Sequence, residues 1–147
     1  MTASTPKSAE EIRQLEYDWL GSDEDGHVAF FSTAGSGYAP PEFLRDTDAH
    51  DVAIAAILAV PASTAAQFAP SLGPGFENTW KHMAERGVYA YDGDPSGGPY
   101  ELVAAPAVPV RADSLPPAAA QVVSRLKLRL CFENHTVLSD EVLKAAA

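Results

Sequence analysis

The chain has little cysteine, few basic residues and no long apolar run. Its single cysteine, Cys131, excludes a disulfide within the chain. The longest apolar run, residues 52–62, falls well short of the ~20 residues that a membrane-spanning helix needs. Only 10 Lys and Arg residues stand against 20 Asp and Glu, and a net charge of −10 repels nucleic acid and anionic lipid. We therefore expect no membrane span and no nucleic-acid partner.

The first residues also lack the apolar core of a secretory signal. Residues 1–9, MTASTPKSA, carry one lysine and are predicted to form a flexible N-terminal tail. The remaining residues, 10–147, have the size of one domain with its own core. Because an unpaired cysteine suits a reducing compartment, we expect a cytoplasmic protein. The sequence leaves the oligomeric state open.

A hairpin is predicted near the N-terminus. Residues 17–20 and 27–33 are rich in aromatic and β-branched residues, which favour strands. Between them lies Asp25-Gly26, a dipeptide favoured in two-residue hairpin turns. We expect Trp19 to pack across the hairpin on Phe30 or Phe31.

The rest of the chain alternates predicted helices and strands. Further strands are expected at residues 88–91, 100–110 and 127–132, and helices at 48–60, 75–86, 114–125 and 139–146. The first of these helices is apolar on nearly every face, which predicts a buried helix capped by Thr47 or Asp48. Ser114 is the expected cap of the third. The order indicates a single α+β domain, with helices on a mostly antiparallel sheet of about five strands.

The stretch GSDEDGHVAFFSTAGSG, residues 21–37, invites comparison with metal and phosphate loops. A calcium loop of the EF-hand type needs oxygen ligands at its first and twelfth positions around a central glycine. With Gly26 in the centre, those positions hold Gly21 and Ser32, so calcium is disfavoured and no metal is predicted. The glycine loop Gly35, Ser36, Gly37 leads into prolines, whereas phosphate loops lead into a helix. A simple connection is therefore favoured over a phosphate cradle.

No catalytic constellation emerges, so no catalytic residue or cofactor is predicted. The four histidines, His27, His50, His82 and His135, show no metal-ligand spacing and are expected at the surface. If residues 127–132 form a strand, Cys131 shares a face with basic residues that lower its pKa, although a buried inert thiol is favoured. An alternative is a small hydrolase or ligand-binding enzyme that uses the Gly35–Gly37 loop and a histidine. A pocket joining Ser36, His27 and Asp92 would support it.

The charge is concentrated in the first 60 residues, which hold 3 basic against 11 acidic residues. This acidity serves solubility, or it attracts a basic protein partner. Exposed tyrosines rimmed by carboxylates are typical of such an interface. The predicted partner-binding residues are Asp23, Glu24, Asp25, Tyr38, Tyr91, Asp92 and Asp94.

The segment DWLGSDEDGHVAFFSTAG, residues 18–35, places a tryptophan before an acidic Asp-Gly turn and an apolar strand that ends in Phe-Ser. It resembles small uncharacterised bacterial cytosolic proteins, and the resemblance extends through RGVYAYD, residues 86–92. Some proteins of this style look like immunity proteins, which neutralise a toxin by masking its active site. The acidic first half and the lack of a catalytic constellation predict a non-enzymatic protein-binding module, and the resemblance implies that it masks a basic toxin.

Overall fold

A mixed sheet with helices packed on it forms the architecture of the computed structural model, which describes residues 6–13, 15–69 and 78–146. The strands are β1 (Asp18–Ser22), β2 (Val28–Ser32), β3 (Ala66–Gln67), β4 (Tyr89–Asp92), β5 (Tyr100–Pro106) and β6 (Val137–Leu138). The helices are α1 (Ala9–Ile12), α2 (Pro41–Arg45), α3 (Thr47–Leu58), α4 (Thr79–Ala84), α5 (Pro117–Ser124) and α6 (Asp140–Ala146). The predicted α+β class is confirmed. In the described part of the chain, no helix has the length and apolarity to cross a bilayer.

The strands lie in the order β1-β2-β4-β5-β3, and β6 also pairs with β5. Every pairing between these strands is antiparallel except one: β2 and β4, in the middle of the sheet, are parallel. The prediction of a mostly antiparallel sheet is thus confirmed, with one correction that matters for the site. Parallel neighbours place their carboxyl ends at the same end of the sheet.

The predicted hairpin is present as β1 and β2. Gly26 has φ +79°, a left-handed conformation that glycine adopts without steric penalty, and so the chain reverses at the Asp25-Gly26 turn. Trp19 lies directly opposite Phe31, and their rings stack with centroids 3.9 Å apart and planes at 8°. The hairpin and its cross-strand aromatic pair are therefore confirmed, with Phe31 as the partner.

Both faces of the sheet are buried. On one face, Leu20, Phe30 and Ala90 pack with apolar residues of α3, α4 and α5. On the other face, Trp19, Phe31 and their neighbours pack with apolar residues of α2, α6 and the segment between α5 and α6. Since successive strand residues point to opposite faces, a strand buried on both sides needs a continuous apolar run, as in VAFF of β2.

Several predicted helices and strands need correction. In α3 one side is buried, but Val52 is 60% exposed, so the helix is amphipathic rather than wholly buried. Its cap is Asp46, whose carboxylate accepts a hydrogen bond from the Ala49 amide. The predicted caps Thr47 and Asp48 lie inside the helix, and α5 follows Pro116 with no side-chain cap, so Ser114 is also wrong.

The predicted strand at residues 127–132 is not a regular strand. Lys127 makes one parallel bridge with Ser22, after which the chain bends at residues 129–130 and enters a 3-10 helix at Phe132. The predicted helix at 75–86 is shorter, because α4 starts after the cap Asn78, while residues 75–77 lie outside the described residues. After this helix Gly87 has φ +85°, the left-handed conformation in which many helices end. At the N-terminus, the hydroxyl of Ser8 caps α1, whereas residues 1–5 lie outside the described part.

The free edge of β1 is closed by a histidine and by the C-terminal segment. The Nδ1 atom of His50 accepts a hydrogen bond from the Leu20 amide at 3.0 Å. The carbonyls of Leu126 and Leu130 accept from the amides of Ser22 and Glu24. These bonds satisfy an edge that would otherwise offer unpaired amides. His50 is 3% exposed, so its predicted surface position is wrong.

Burial of His50 makes the stability depend on pH. Burial lowers its pKa from 6.5 to about 4, so between these values the unfolded chain binds a proton that the folded chain does not. The contribution of His50 to the free energy of unfolding is therefore fully present above pH 6.5 and decreases as the pH drops toward 4. We expect the stability advantage of the wild type over His50→Gln to shrink by about 3 kcal/mol between pH 7 and pH 4. Denaturant titrations across this range measure it.

The control is His82→Gln, which removes an exposed imidazole of α4. Its difference from the wild type should be nearly independent of pH. A pH-independent difference for His50→Gln as well would contradict the assignment.

Candidate functional site

An acidic cavity of about 320 Å³ lies at the end of the sheet where β2 and β4 both terminate. Carboxylates, a hydroxyl and an indole line it. The lining residues are Glu16, Asp18, Phe30, Ser32, Ala34, Thr79, Trp80 and Asp92. Ligand sites in sheets with parallel strands are commonly found beyond the carboxyl ends of those strands. This cavity is therefore the candidate functional site, and we call it the acidic cavity.

Strand register brings three of the polar groups together. Asp18 of β1 lies opposite Ser32 of β2, and Ser32 in turn lies opposite Asp92 of β4. Directly opposed residues project from the same face of a sheet, here the face that carries Phe30 and packs on the helices. Trp80 at the start of α4 closes the side. Residues 74 positions apart in the chain thus form one row.

A chain of hydrogen bonds links the wall of the acidic cavity to its carboxylates. The Trp80 indole Nε1–H donates to the Ser32 hydroxyl at 3.3 Å. The Ser32 hydroxyl in turn donates to the Asp18 carboxylate. The serine proton is therefore committed to Asp18, and the indole ring is held against the acidic row.

The acidic groups disfavour one another's charge. Burial raises the pKa of Asp18 from 3.8 to about 6, and the hydrogen bond from Ser32 opposes this shift. Negative charge on Asp51, Glu16 and Asp92 raises it further. Burial, followed by the charge of Glu16, also raises the pKa of Asp92. The acidic cavity therefore holds more negative charge than its surroundings stabilise.

No Lys or Arg is among the described residues that line the acidic cavity. Between described residues the structure has one ion pair, Arg45 with Glu42 at 2.8 Å, and it lies on α2. The cavity thus offers carboxylates and an aromatic ring without an internal cation. Such a lining suits an ammonium or guanidinium group, which carboxylates hold by charge-assisted hydrogen bonds and an indole by cation–π attraction.

The predicted acidic and aromatic surface is not assembled as expected. The acidic turn at residues 23–26 lies before β2, while Asp92 and Asp94 lie at and beyond the end of β4. Because β2 and β4 are parallel, these two groups stand at opposite ends of the sheet. Of the predicted residues, Asp92 lies in the acidic cavity, whereas Asp94 is exposed and accepts a hydrogen bond from the Ser96 amide.

The two predicted tyrosines are not an exposed pair. Tyr91 has 0% exposure, and its hydroxyl donates to the carbonyls of Phe132 and His135. Its prediction as a contact residue is wrong, since strand alternation turns it into the aromatic core beside Phe31. Tyr38 is partly buried, with the Lys144 ammonium 5.7 Å from its ring centre.

Within the acidic turn, Asp23 has a structural role. It is 5% exposed, and its carboxylate accepts from the amides of Asp25, His27 and Phe132 at 3.0, 2.9 and 2.9 Å. A buried carboxylate with three amide donors organises the turn and ties it to the C-terminal segment. Its prediction as a surface contact is wrong, while Glu24 and Asp25 are exposed as expected.

The glycine loop cannot act as a phosphate cradle, because its amides are occupied. The amides of Ser36 and Gly37 donate to the Thr33 carbonyl at 3.1 and 2.7 Å, and that of Gly35 to the Thr33 hydroxyl at 3.5 Å. The pocket joining Ser36, Asp92 and His27 does not form either. His27 precedes β2 and Asp92 ends β4, at opposite ends of the parallel pair.

Cys131 does not have the lowered pKa expected from basic neighbours. A hydrogen bond with Asp25 raises the pKa of its thiol to about 11, with further contributions from burial and from the charges of Asp25, Asp23 and Glu24. The absence of a regular strand at 127–132 removes the basis for the expected alternation with Lys127 and Arg129.

Sequence reasoning missed Glu16, Asp18 and Trp80 as site residues, and it did not place Ser32 beside Asp92. The available signal was a polar residue beside each apolar run: Asp18 precedes Trp19-Leu20, Ser32 follows Phe30-Phe31, and Asp92 follows Tyr89-Ala90-Tyr91. This pattern indicates a shared site only once β2 and β4 are known to be parallel, because that pairing places Ser32 beside Asp92.

Removal of the Asp18 charge should stabilise the protein at neutral pH. The folded pKa of Asp18 is raised to about 6, so the folded protein favours the protonated carboxyl. The resulting contribution to stability is fully present below pH 3.8, and it is lost as the pH rises through 6 and the buried group ionises. Asp18→Asn keeps an acceptor for Ser32 without the charge. We expect a gain of about 1–2 kcal/mol at pH 7 that vanishes near pH 4.

Thermal unfolding at both pH values measures this difference. The matched control, Asp94→Asn, removes an exposed carboxylate and should not stabilise the fold at either pH. Destabilisation by Asp18→Asn at pH 7 would show that its charge is already compensated.

The comparisons with known proteins identify no relative. No protein-family model matches the chain, and neither a curated protein nor a solved structure matches it. The resemblance of residues 17–37 to small bacterial cytosolic proteins, some of which look like immunity proteins, is therefore neither supported nor contradicted, and it stays a prediction.

Proposed function

We propose that the protein is an acidic binding module that captures a basic side chain, Lys or Arg, of a protein partner in the acidic cavity. The observation that carries the proposal is the row of Asp18, Ser32 and Asp92 beside Trp80, with no basic residue among the described lining. The proposal retains the basic partner predicted from the sequence, but it locates the binding site in the acidic cavity, at the opposite end of the sheet from the acidic turn.

The size of the acidic cavity fits a single side chain. Pockets for drug-sized ligands run from about 300 to 1,000 Å³, so 320 Å³ lies at the lower limit. The mixed lining also suits the two parts of a long basic side chain. Trp80 offers apolar surface to its methylene groups, and the carboxylates offer acceptors to its charged head.

The charge of the acidic cavity gives the interaction a pH signature. A bound cation stabilises the ionised form of Asp18, whose pKa in the free protein is about 6. Binding must therefore release a proton below this pH, and the affinity must rise as the pH increases toward neutrality. An interaction with the exposed acidic turn alone would not have this dependence.

Binding of an arginine-containing peptide tests the proposal. The probe is a short peptide with one Arg, compared with its citrulline analogue, which keeps the shape but has no charge. We expect the Arg peptide to bind, with its affinity rising between pH 5 and pH 7, and the citrulline peptide to bind at least tenfold more weakly. Asp18→Asn with Asp92→Asn should weaken Arg binding about tenfold, which corresponds to ~1.4 kcal/mol.

A charge-matched control separates the cavity from overall acidity. Asp48→Asn with Glu141→Gln removes two exposed carboxylates outside the cavity. This variant should lose little affinity at physiological salt, since screening weakens distant charges. Equal losses for both double variants would show that net charge, and not the cavity, holds the peptide. The Trp80 indole N–H resonance should shift on binding and report contact directly.

That the partner is a toxin rests on the resemblance of the hairpin segment alone. The hydrolase alternative has no support from the glycine loop, whose amides are occupied. Co-purification from a lysate at low salt, with and without the Asp18 and Asp92 substitutions, tests for a basic protein. A partner that is retained by the wild type and by the exposed-residue variant, but lost by the cavity variant, is the expected result.

A further inference from the structure

A second cavity, of about 590 Å³, lies between the acidic turn, α5 and the segment that follows α5. Its lining includes three basic residues, Arg111, Lys127 and Arg129. The whole chain has only 10 Lys and Arg residues against 20 Asp and Glu. Basic residues are therefore concentrated at this place, and we call it the basic cavity.

None of these three cations forms an ion pair with a described carboxylate. Between described residues the one ion pair joins Arg45 to Glu42 on α2, outside the basic cavity. Asp23, Glu24 and Asp113 also line the cavity, yet none of them pairs with a cation there. The positive charge of the lining is therefore available to a ligand.

The backbone fixes Arg111 beside the acidic turn. Arg111 forms an isolated antiparallel bridge with His27, and the Ala112 amide donates to the Gly26 carbonyl at 2.8 Å. The Arg111 Nη2 atom lies so close to Gly26 that a Cβ added there would stand 3.0 Å from it. Gly26 itself lines the basic cavity, so the guanidinium lies at the cavity wall.

A neutral acceptor leaves the charge of this guanidinium uncompensated. Its Nη1 atom donates to the Asp25 carbonyl at 3.0 Å, which uses one of the five N–H donors of an arginine. This bond holds the group in place without neutralising it. A planar guanidinium with free donors binds a carboxylate or a phosphate through two parallel hydrogen bonds.

The other two cations flank a buried leucine in the segment after α5. Lys127 and Arg129 are exposed on either side of Leu128, whose amide donates to the Ser22 carbonyl at 2.7 Å. This bond fixes the segment against β1. The Arg129 guanidinium donates to the Ala145 carbonyl at 3.1 Å, again a neutral acceptor. The charges of both residues are thus also uncompensated by any described carboxylate.

The neutral donors of the basic cavity are already used. The hydroxyls of Ser22 and Ser124 donate to backbone carbonyls at 2.9 and 2.7 Å. The Asp23 carboxylate accepts from three backbone amides. The groups that remain for a ligand are the cations, together with the exposed carboxylates of Glu24 and Asp113.

We propose that the basic cavity binds a small organic anion, whose carboxylate or phosphate group is held by Arg111 and Lys127. The cavity volume lies within the range of about 300–1,000 Å³ that is typical of small-molecule sites. Ala112 and Ala120 of the lining offer apolar surface to the body of such a ligand.

The charges of the chain restrict the ligand to one anionic group. Glu24 and Asp113 in the lining repel further negative charge, which disfavours nucleic acid and other polyanions. Carboxylates farther away matter less, because the Debye length is about 8 Å at physiological salt. The site is independent of the proposed function, since the acidic turn beside it lies at the opposite end of the sheet from the acidic cavity.

Titration of the full chain with phenyl phosphate and with benzoate tests the proposal, and benzyl alcohol is the neutral analogue. We expect at least one of the two anions to shift the amide resonances of Gly26, Ala112 and Leu128, with a Kd of about 1 mM or below. The comparison of the two anions distinguishes phosphate from carboxylate recognition. Failure of both anions to bind, or equal binding of benzyl alcohol, would overturn the proposal.

Single substitutions locate the anion. Arg111→Gln and Lys127→Gln should each weaken binding about tenfold, because each removes a charge-assisted hydrogen bond. The matched control, Arg13→Gln, removes an exposed arginine outside the cavity and should bind as the wild type does. Equal losses in all three variants would show that net charge alone attracts the anion. Asp18→Asn with Asp92→Asn should leave anion binding intact, so this test is separate from that of the proposed function.

A measurement on the unmodified chain guards against misfolded variants. The bound anion should slow the modification of Arg111 by phenylglyoxal several-fold, as followed by peptide mass spectrometry. Arg13 should react at the same rate with and without the anion. Modification of Arg111 at an unchanged rate under saturating anion would contradict its role as the anion-binding residue.

Discussion

The parallel pairing of β2 with β4 is the constraint on which the rest of the structure depends. It places Ser32 and Asp92 side by side at one end of the sheet and sends the acidic turn to the other end. It also buries β2 between two strands and two layers, so that Phe30 faces the helices and Phe31 faces the C-terminal half. An antiparallel pairing would have joined the acidic turn to Asp92, and the acidic cavity would not exist.

The carboxylates at the two ends of the sheet lie in different electrostatic surroundings. In the acidic cavity, carboxylates face one another without an internal cation, and burial, reinforced by the negative charge of its neighbours, raises the pKa of Asp18. In the turn, backbone amides solvate Asp23, and Arg111 lies close by. The acidic cavity has no Lys or Arg among its described lining residues, so a partner could supply the missing positive charge. The turn is organised around the buried Asp23 carboxylate, whose charge is already compensated by three backbone amides.

The free edge of β1 explains the position of the buried His50 and of the C-terminal segment. His50 accepts from β1 where a further strand would otherwise bind, and the C-terminal segment covers the remainder of that edge. The same segment brings Cys131 and Phe132 to the acidic turn. The same segment of the chain thus covers the edge of β1 and contacts the acidic turn. A substitution that displaces this segment should therefore disturb both.

The local part of this structure was determined by the sequence itself. Short-range chemistry is enough to predict the Asp25-Gly26 turn, the packing of Trp19 on Phe30 or Phe31, and the α+β class, because each depends on neighbouring residues or on periodicity. The tertiary structure alone decided the parallel strand pair, the burial of His50, Tyr91 and Asp23, and the gathering of Asp18, Ser32 and Asp92. These features depend on which distant segments meet, and burial then changes the pKa and role of groups whose identity alone suggests a surface position.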